Sequence, residues 1–256
     1  MDSVQAVILG IIQGLAEFLP ISSSGHLILA QKIFDLQDPE QNKLFIVAVH
    51  LASALAILIY YRKEVLRLFT THTHEISYLL FGSIPAGLVG FLFKDEFDEV
   101  FLHRPVIVPA MLLVTGAFIY LANRFSRERK DLGGAGLIGA VEMGIAQAFA
   151  LIPGLSRSGL TICSGFLIGI NRKEAIRFSF FLAIPVILGA NLMKFKDVVA
   201  NKVEIHYTPI IIGMVVTFTV SIFAIKLLES LADKMFFGFF SYYLFVVGLV
   251  GVLYFI

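Results

Sequence analysis

The sequence predicts an all-α integral membrane protein built as an inverted-topology repeat, with six full transmembrane helices and two re-entrant helix pairs. Three observations predict it. First, 58% of the 256 residues are hydrophobic and 15% charged, with a mean hydropathy of +0.87; soluble domains run closer to half apolar and a quarter charged. Second, several apolar runs approach or exceed the roughly 20 residues that cross a bilayer as helix, without the period-two alternation of a barrel. Third, a polar motif inside one apolar stretch recurs at a shift of 134 residues.

Residues 5–21 are apolar but interrupted by Gln13 and Glu17, and they stop at Pro20 and the Ser22–Gly25 cluster. A short apolar piece, 27–33, follows. The two are expected to enter the membrane and return on the same side, since broken backbone at that depth must be covered by protein or water. Without a basic leader segment, the run reads as part of the mature protein rather than a signal peptide. Full spans are expected at 44–61, 76–93 and 105–123. A basic loop (Arg62, Lys63, Arg67), an acidic loop (Asp95, Glu96, Asp98, Glu99) and a second basic loop (Arg124, Arg127, Arg129, Lys130) punctuate them. Gly133-Gly134-Ala135-Gly136 marks the boundary between a first repeat, 1–132, and a second, 133–256. The second opens with another interrupted pair, 136–152 and 158–170, followed by spans at 178–193, 209–227 and 238–256.

The repeat is visible in G10-I-I-Q-G-L-A against G144-I-A-Q-A-F-A. At the same shift Gln13 falls on Gln147, and Ser22, Ser24 and Gly25 fall on Ser156, Ser158 and Gly159. Pro20 maps onto Gly154, beside Pro153; both prolines read as helix breakers. Three spans per repeat is an odd number, so the repeats sit with opposite orientation. Placing segments 62–75, 124–131, 171–177 and 226–237 in the cytoplasm gives that side 12 Lys and Arg against 7 opposite, a modest bias of the expected sign. Both termini then lie outside the cytoplasm, and the tips of the two pairs meet within the membrane.

Each tip reads as a helix start. Serine is a favoured N-cap, and a helix N-terminus presents free N–H groups and the positive end of a dipole. Two such ends aimed at one point suit phosphate, and Arg157 adds a permanently charged planar fork. Glu17 and His26, with serines between them, supply acid–base and nucleophilic groups. Gln13 and Glu17, four apart on one helix face, are oxygen ligands for a hard divalent cation shared with substrate phosphates. His50, His72, His74, His103 and His206 read as structural or solvated, and His72-x-His74 is a weak metal signal. Cys163, the single cysteine, excludes an intramolecular disulfide and reads as a small hydrophobe. A net charge of +1 gives no reason to expect nucleic acid.

Gln13-x-x-x-Glu17, the following Pro20-Ile21-Ser22-Ser23-Ser24-Gly25-His26, and Pro153-Gly154-Leu155-Ser156-Arg157-Ser158-Gly159-Leu160-Thr161 resemble the two signature regions of the bacterial undecaprenyl-pyrophosphate phosphatase family, which is linked to bacitracin resistance. The resemblance covers essentially the whole chain. It implies hydrolysis of undecaprenyl pyrophosphate to the monophosphate and inorganic phosphate, recycling a cell-wall lipid carrier. It also implies dependence on a divalent cation, Mg or Ca, and a site toward the outer face of the cytoplasmic membrane. Mapped here, Arg157 would clamp the pyrophosphate with Ser22, Ser24, Gly25, Ser156, Ser158, Gly159 and Thr161. Glu17, with Gln13, would hold the metal or act as base. Ser23 is the first choice of nucleophile with His26 as acid/base, against His26 as nucleophile through a phosphohistidine. A homodimer is compatible with the sequence. The membrane acid-phosphatase superfamily does not fit, because its histidine and acid positions after Arg157 hold Cys163 and Leu167. The alternative from another class is a lipid-phosphate transporter or flippase.

Overall fold

A computed structural model describes residues 1–36, 38–93, 106–126, 132–200, 205–232 and 237–255, with backbone alone for 132–134 and 194–200. The described residues form eleven α-helices. The first pair is α1 (Ser3–Ala16) and α2 (Ser23–Ile33). Then come α3 (Pro39–Tyr60), α4 (Arg62–Leu68), α5 (Thr73–Leu92) and α6 (Ile107–Phe125). The second pair is α7 (Leu132–Phe149) and α8 (Arg157–Leu167), followed by α9 (Arg172–Ala200), α10 (Tyr207–Ala232) and α11 (Phe237–Phe255). Six helices, α3, α5, α6, α9, α10 and α11, are long and apolar enough to cross a membrane, as expected.

Local chemistry sets the boundaries. Asp2 and Gln5 form a reciprocal capping box at the start of α1. Asp38 caps α3, with Pro39 at its first position. The Arg62–Lys63–Arg67 segment, expected as a loop, is helix α4: after Tyr61 the chain turns and resumes helical bonding, Val65 N–H donating to Tyr61 O at 2.8 Å. Gly136 interrupts α7 with φ 62° and ψ −158°, which only glycine adopts readily. The acidic loop at Asp95–Glu99, most of the second basic loop and His103 lie outside the described residues.

Packing crosses the chain. The first helix of each interrupted pair rests on a span from the other half of the sequence, α1 on α10 and α7 on α5. Helices α3 and α9 pack together, as do α6 and α11. In lipid, helices associate through close backbone approach at small residues. A Cβ on Gly10 would stand 3.0 Å from the Gly213 carbonyl oxygen, and one on Gly144 only 2.0 Å from that of Gly82. Thr217 Oγ1 also donates to Gly10 O at 3.1 Å. Beneath the tips, Phe18 meets Phe180 edge-on at 5.1 Å in a buried aromatic core with Tyr61 and Phe181.

Candidate active site

The two turns, 17–22 and 150–156, meet. Ser22 caps α2 by accepting from Gly25 N–H at 3.2 Å, and Ser156 caps α8 by accepting from Gly159 N–H at 3.0 Å. The hydroxyls then reach across. Ser158 Oγ donates to Leu19 O at 3.0 Å, Ser22 Oγ to Leu155 O at 3.3 Å, and Ser24 Oγ accepts from Gly154 N–H at 3.5 Å. Tight packing enforces the approach: a Cβ on Gly154, whose φ is 96°, would lie 2.4 Å from Val108 O.

Glu17 sits at the centre of this junction, following α1 directly. It is buried, and both its oxygens are held. Arg157 Nη2 donates to Oε1 at 2.6 Å. Ser23 Oγ donates to Oε2 at 2.7 Å and Gln13 Nε2 to the same oxygen at 3.0 Å. Arg157 Nη1 donates to Ser179 O at 3.3 Å, and its side chain remains partly open to the cavity. Glu17, Arg157 and Ser23 line a cavity of about 150 Å³ together with Ser24, Ser156, Ser158 and Gln147. At ~10–15 Å³ per water position this is polar room for roughly ten waters, or for a compact anion. A charged pair in such a place is costly to bury unless its hydrogen bonds are complete; here an arginine, a serine and a glutamine complete the carboxylate.

Other residues singled out from sequence lie elsewhere. His26 faces away from Glu17: Nδ1 donates to Ser22 O at 2.9 Å, and Nε2 is 2.8 Å from Tyr243 OH, the rings stacked at 5.6 Å. Thr161 lies behind Arg157, donating to its carbonyl at 2.8 Å and meeting Ser179 Oγ at 2.5 Å. Gly25 and Gly159 spend their N–H groups on the caps and sit at close contacts, a Cβ on Gly25 falling 2.9 Å from Leu112 Cδ2.

Four residues read as structural or passed over in the sequence belong to the cavity or its support. His50 lines it, with Nδ1 donating to Ile46 O at 2.8 Å and Nε2 3.7 Å from Glu17 Oε2. Its place in an apolar span, rather than in a loop, was the available signal. Asn191 lines it with its Nδ2 buried and without a partner among the described residues, and Gln147 likewise leaves Oε1 unpartnered. Ser179 contributes a carbonyl, which no side-chain motif reveals.

The arrangement has close relatives. The family model described as bacitracin resistance protein BacA matches residues 6–250. A protein of Carboxydothermus hydrogenoformans named undecaprenyl-diphosphatase is 39% identical over 97% of this chain and 95% of its own length. Proteins of the same name from Alcanivorax borkumensis, 40% identical over 90% of this chain and 91% of theirs, and from Methanobrevibacter smithii, 35% identical over 98% and 96%, match similarly.

Proposed function

Starting from the chain's membership of the BacA family of bacitracin resistance proteins, we propose that it hydrolyses undecaprenyl pyrophosphate to undecaprenyl phosphate and inorganic phosphate. The observation that carries this reading is the buried Ser23–Glu17–Arg157 chain of contacts at the junction of two capped helix starts. Arg157 and the two helix N-termini are the positive groups at the cavity, and they bind the pyrophosphate. Glu17 accepts the Ser23 proton as Ser23 Oγ attacks the terminal phosphorus. The phosphoanhydride P–O bond breaks, undecaprenyl phosphate leaves, and water then cleaves the seryl phosphate to regenerate the hydroxyl. Catalysis rests on positioning and charge neutralisation, as phosphoryl transfer does in general.

A divalent cation, Mg or Ca, fits as a partner of the substrate. Gln13 Oε1 is buried without a partner beside Glu17. Gln13 Oε1 and the Glu17 carboxylate, whose oxygens already accept from Arg157, Ser23 and Gln13, would hold such an ion only together with substrate phosphate oxygens, since it takes six or more oxygen ligands. Bound there, the cation neutralises phosphate charge. We read residues 1–132 and 133–256 as inverted repeats with the pairs re-entrant; the crossed packing of α1 on α10 and α7 on α5 supports this, because equivalent helices make equivalent contacts. The loop-charge bias supports placing both termini outside the cytoplasm, and the family resemblance is the ground for assigning the multi-pass protein to the cytoplasmic membrane with its site toward the outer side.

The test is phosphate release from undecaprenyl pyrophosphate by purified protein in detergent. Glu17→Ala and Arg157→Ala are expected to abolish it. Release at the parent rate by either variant sinks the catalytic reading, and lipid crossing proteoliposomes without phosphate release favours the transporter.

A further inference from the structure

The tips are flanked by two apolar grooves, one on each side. The first has a volume of about 400 Å³ and runs between α6, α7 and α8, lined by Val114, Phe118, Ile145, Phe149, Leu155 and Leu160. The second, about 320 Å³, runs between α2 and α11, lined by Leu29, Ile33, Val246 and Val250 among others. They differ in their relation to the polar cavity. Leu155, the residue before the Ser156 cap, lines both the cavity and the first groove. No residue of the second groove lines the cavity. Along α2, His26 lies between the tip and Leu29, and along α11 Tyr243 lies one helical turn before Val246; the two are hydrogen-bonded at 2.8 Å.

We propose that the groove between α6, α7 and α8 holds the first isoprene units of the substrate's hydrocarbon chain, while the seam between α2 and α11 is kept shut by His26 and Tyr243. The proposal rests on the pyrophosphatase reading for the identity of the lipid. Leu155 directly precedes Ser156 and Arg157 and lines both the cavity and the groove, so a lipid whose pyrophosphate is held by those residues meets the groove at Leu155. Apolar chains gain roughly 25 cal/mol for each Å² removed from water. In a bilayer that gain is absent, so what the groove supplies is direction: the chain is laid down on one side, and the anhydride is fixed in register with Ser23. The one charged side chain of the groove, Glu142, lies two helical turns from Phe149 along α7, at the end away from the tip. The apolar length therefore suits a few isoprene units, not the whole chain, and the remainder passes into lipid.

The experiment is photolabelling of the intact protein in detergent with a farnesyl methylenebisphosphonate carrying a diazirine at its far end, followed by peptide mapping. The non-hydrolysable head makes labelling independent of turnover. Adducts are expected on residues 114–118 and 145–149. Adducts on α2 and α11, or spread evenly over the lipid-facing helices, overturn the proposal, the latter showing ordinary lipid filling only. A second measurement uses Ala146→Phe, which fills the groove from α7. The ratio of kcat/KM for farnesyl pyrophosphate to that for isopentenyl pyrophosphate should fall about tenfold; an unchanged ratio in a folded variant counts against the groove. Labelling at the groove in a protein that releases no phosphate removes the phosphatase reading and leaves the lipid site. Phosphate release with labelling elsewhere does the reverse.

Discussion

The two tips share a backbone plan and divide the chemistry. Each has a buried glutamine near the end of its first helix, Gln13 or Gln147, and a serine cap on its second, Ser22 or Ser156. The side chains between differ. The first tip places Glu17 one turn after its glutamine, where the second has Leu151; the second places Arg157 where the first has Ser23. Opposite charges thus come from different halves of the sequence and meet at 2.6 Å. The shared plan supplies two capped helix starts, and the divergence supplies a carboxylate, a hydroxyl and a guanidinium. Neither tip alone holds the set.

Removing one charge should have the largest effect. Arg157→Gln leaves Glu17 buried without its arginine, a loss of about 3–5 kcal/mol of stability, while Glu17→Gln leaves Arg157, partly open to the cavity, without its carboxylate and costs less; both should lose all measurable turnover. The double variant should regain much of the melting temperature in detergent without regaining phosphate release. Were the double variant active, the pair would be an architectural feature and not the source of the chemistry.

Next is the choice of nucleophile within the first tip. Ser23→Ala should remove phosphate release altogether. His26→Ala, which loses the Tyr243 contact, should retain it within about tenfold, short of the ~10²–10⁴-fold loss that removal of an acid–base group brings. A phosphoenzyme trapped on His26, or a His26→Ala protein as dead as Ser23→Ala, would transfer the role to the imidazole.

The helix contacts that hold the tips in place give smaller, unequal effects. Gly144→Ala puts a methyl against the Gly82 carbonyl at 2.0 Å, whereas Gly10→Ala meets Gly213 O at 3.0 Å. Overpacking of this kind costs about 1–3 kcal/mol, with Gly144 expected at or above the top of that range and Gly10 at the bottom, measured as loss of melting temperature. Smallest of all is the contrast between the caps. Ser22 has φ 72° and Ser156 has φ −85°. Replacing a serine cap by glycine costs only a few tenths of a kcal/mol in general, and at Ser22 relief of the positive φ should offset even that. Ser22→Gly should therefore melt with the parent, and Ser156→Gly slightly below it.

Much of this site was legible in the sequence because its parts are local. A serine cap, a glutamine four residues before a glutamate, and an arginine beside a cap are short-range patterns with direct physical meaning. The six spans were legible from length and apolarity. What was hidden depends on packing between distant segments. His50 enters the cavity because α3 runs beside α1; its place in an apolar span marks it as unusual, but not what it faces. His26 is turned toward α11 by Tyr243, more than two hundred residues away in sequence. The basic segment at Arg62–Leu68 looked like a loop because its charges suggested solvent, yet charge does not prevent a short helix beside a span end.

The crossed packing has a consequence for how the molecule is made. Helix α1 is among the first to leave the ribosome, yet the surface that receives Gly10 and Gly14 belongs to α10, among the last. Arg157 comes earlier, on α8, so the acid, the hydroxyl and the guanidinium all precede α10 in the chain. A chain that stops before α8 lacks the arginine, and one that stops between α9 and α10 has all three groups but not the surface on which α1 rests.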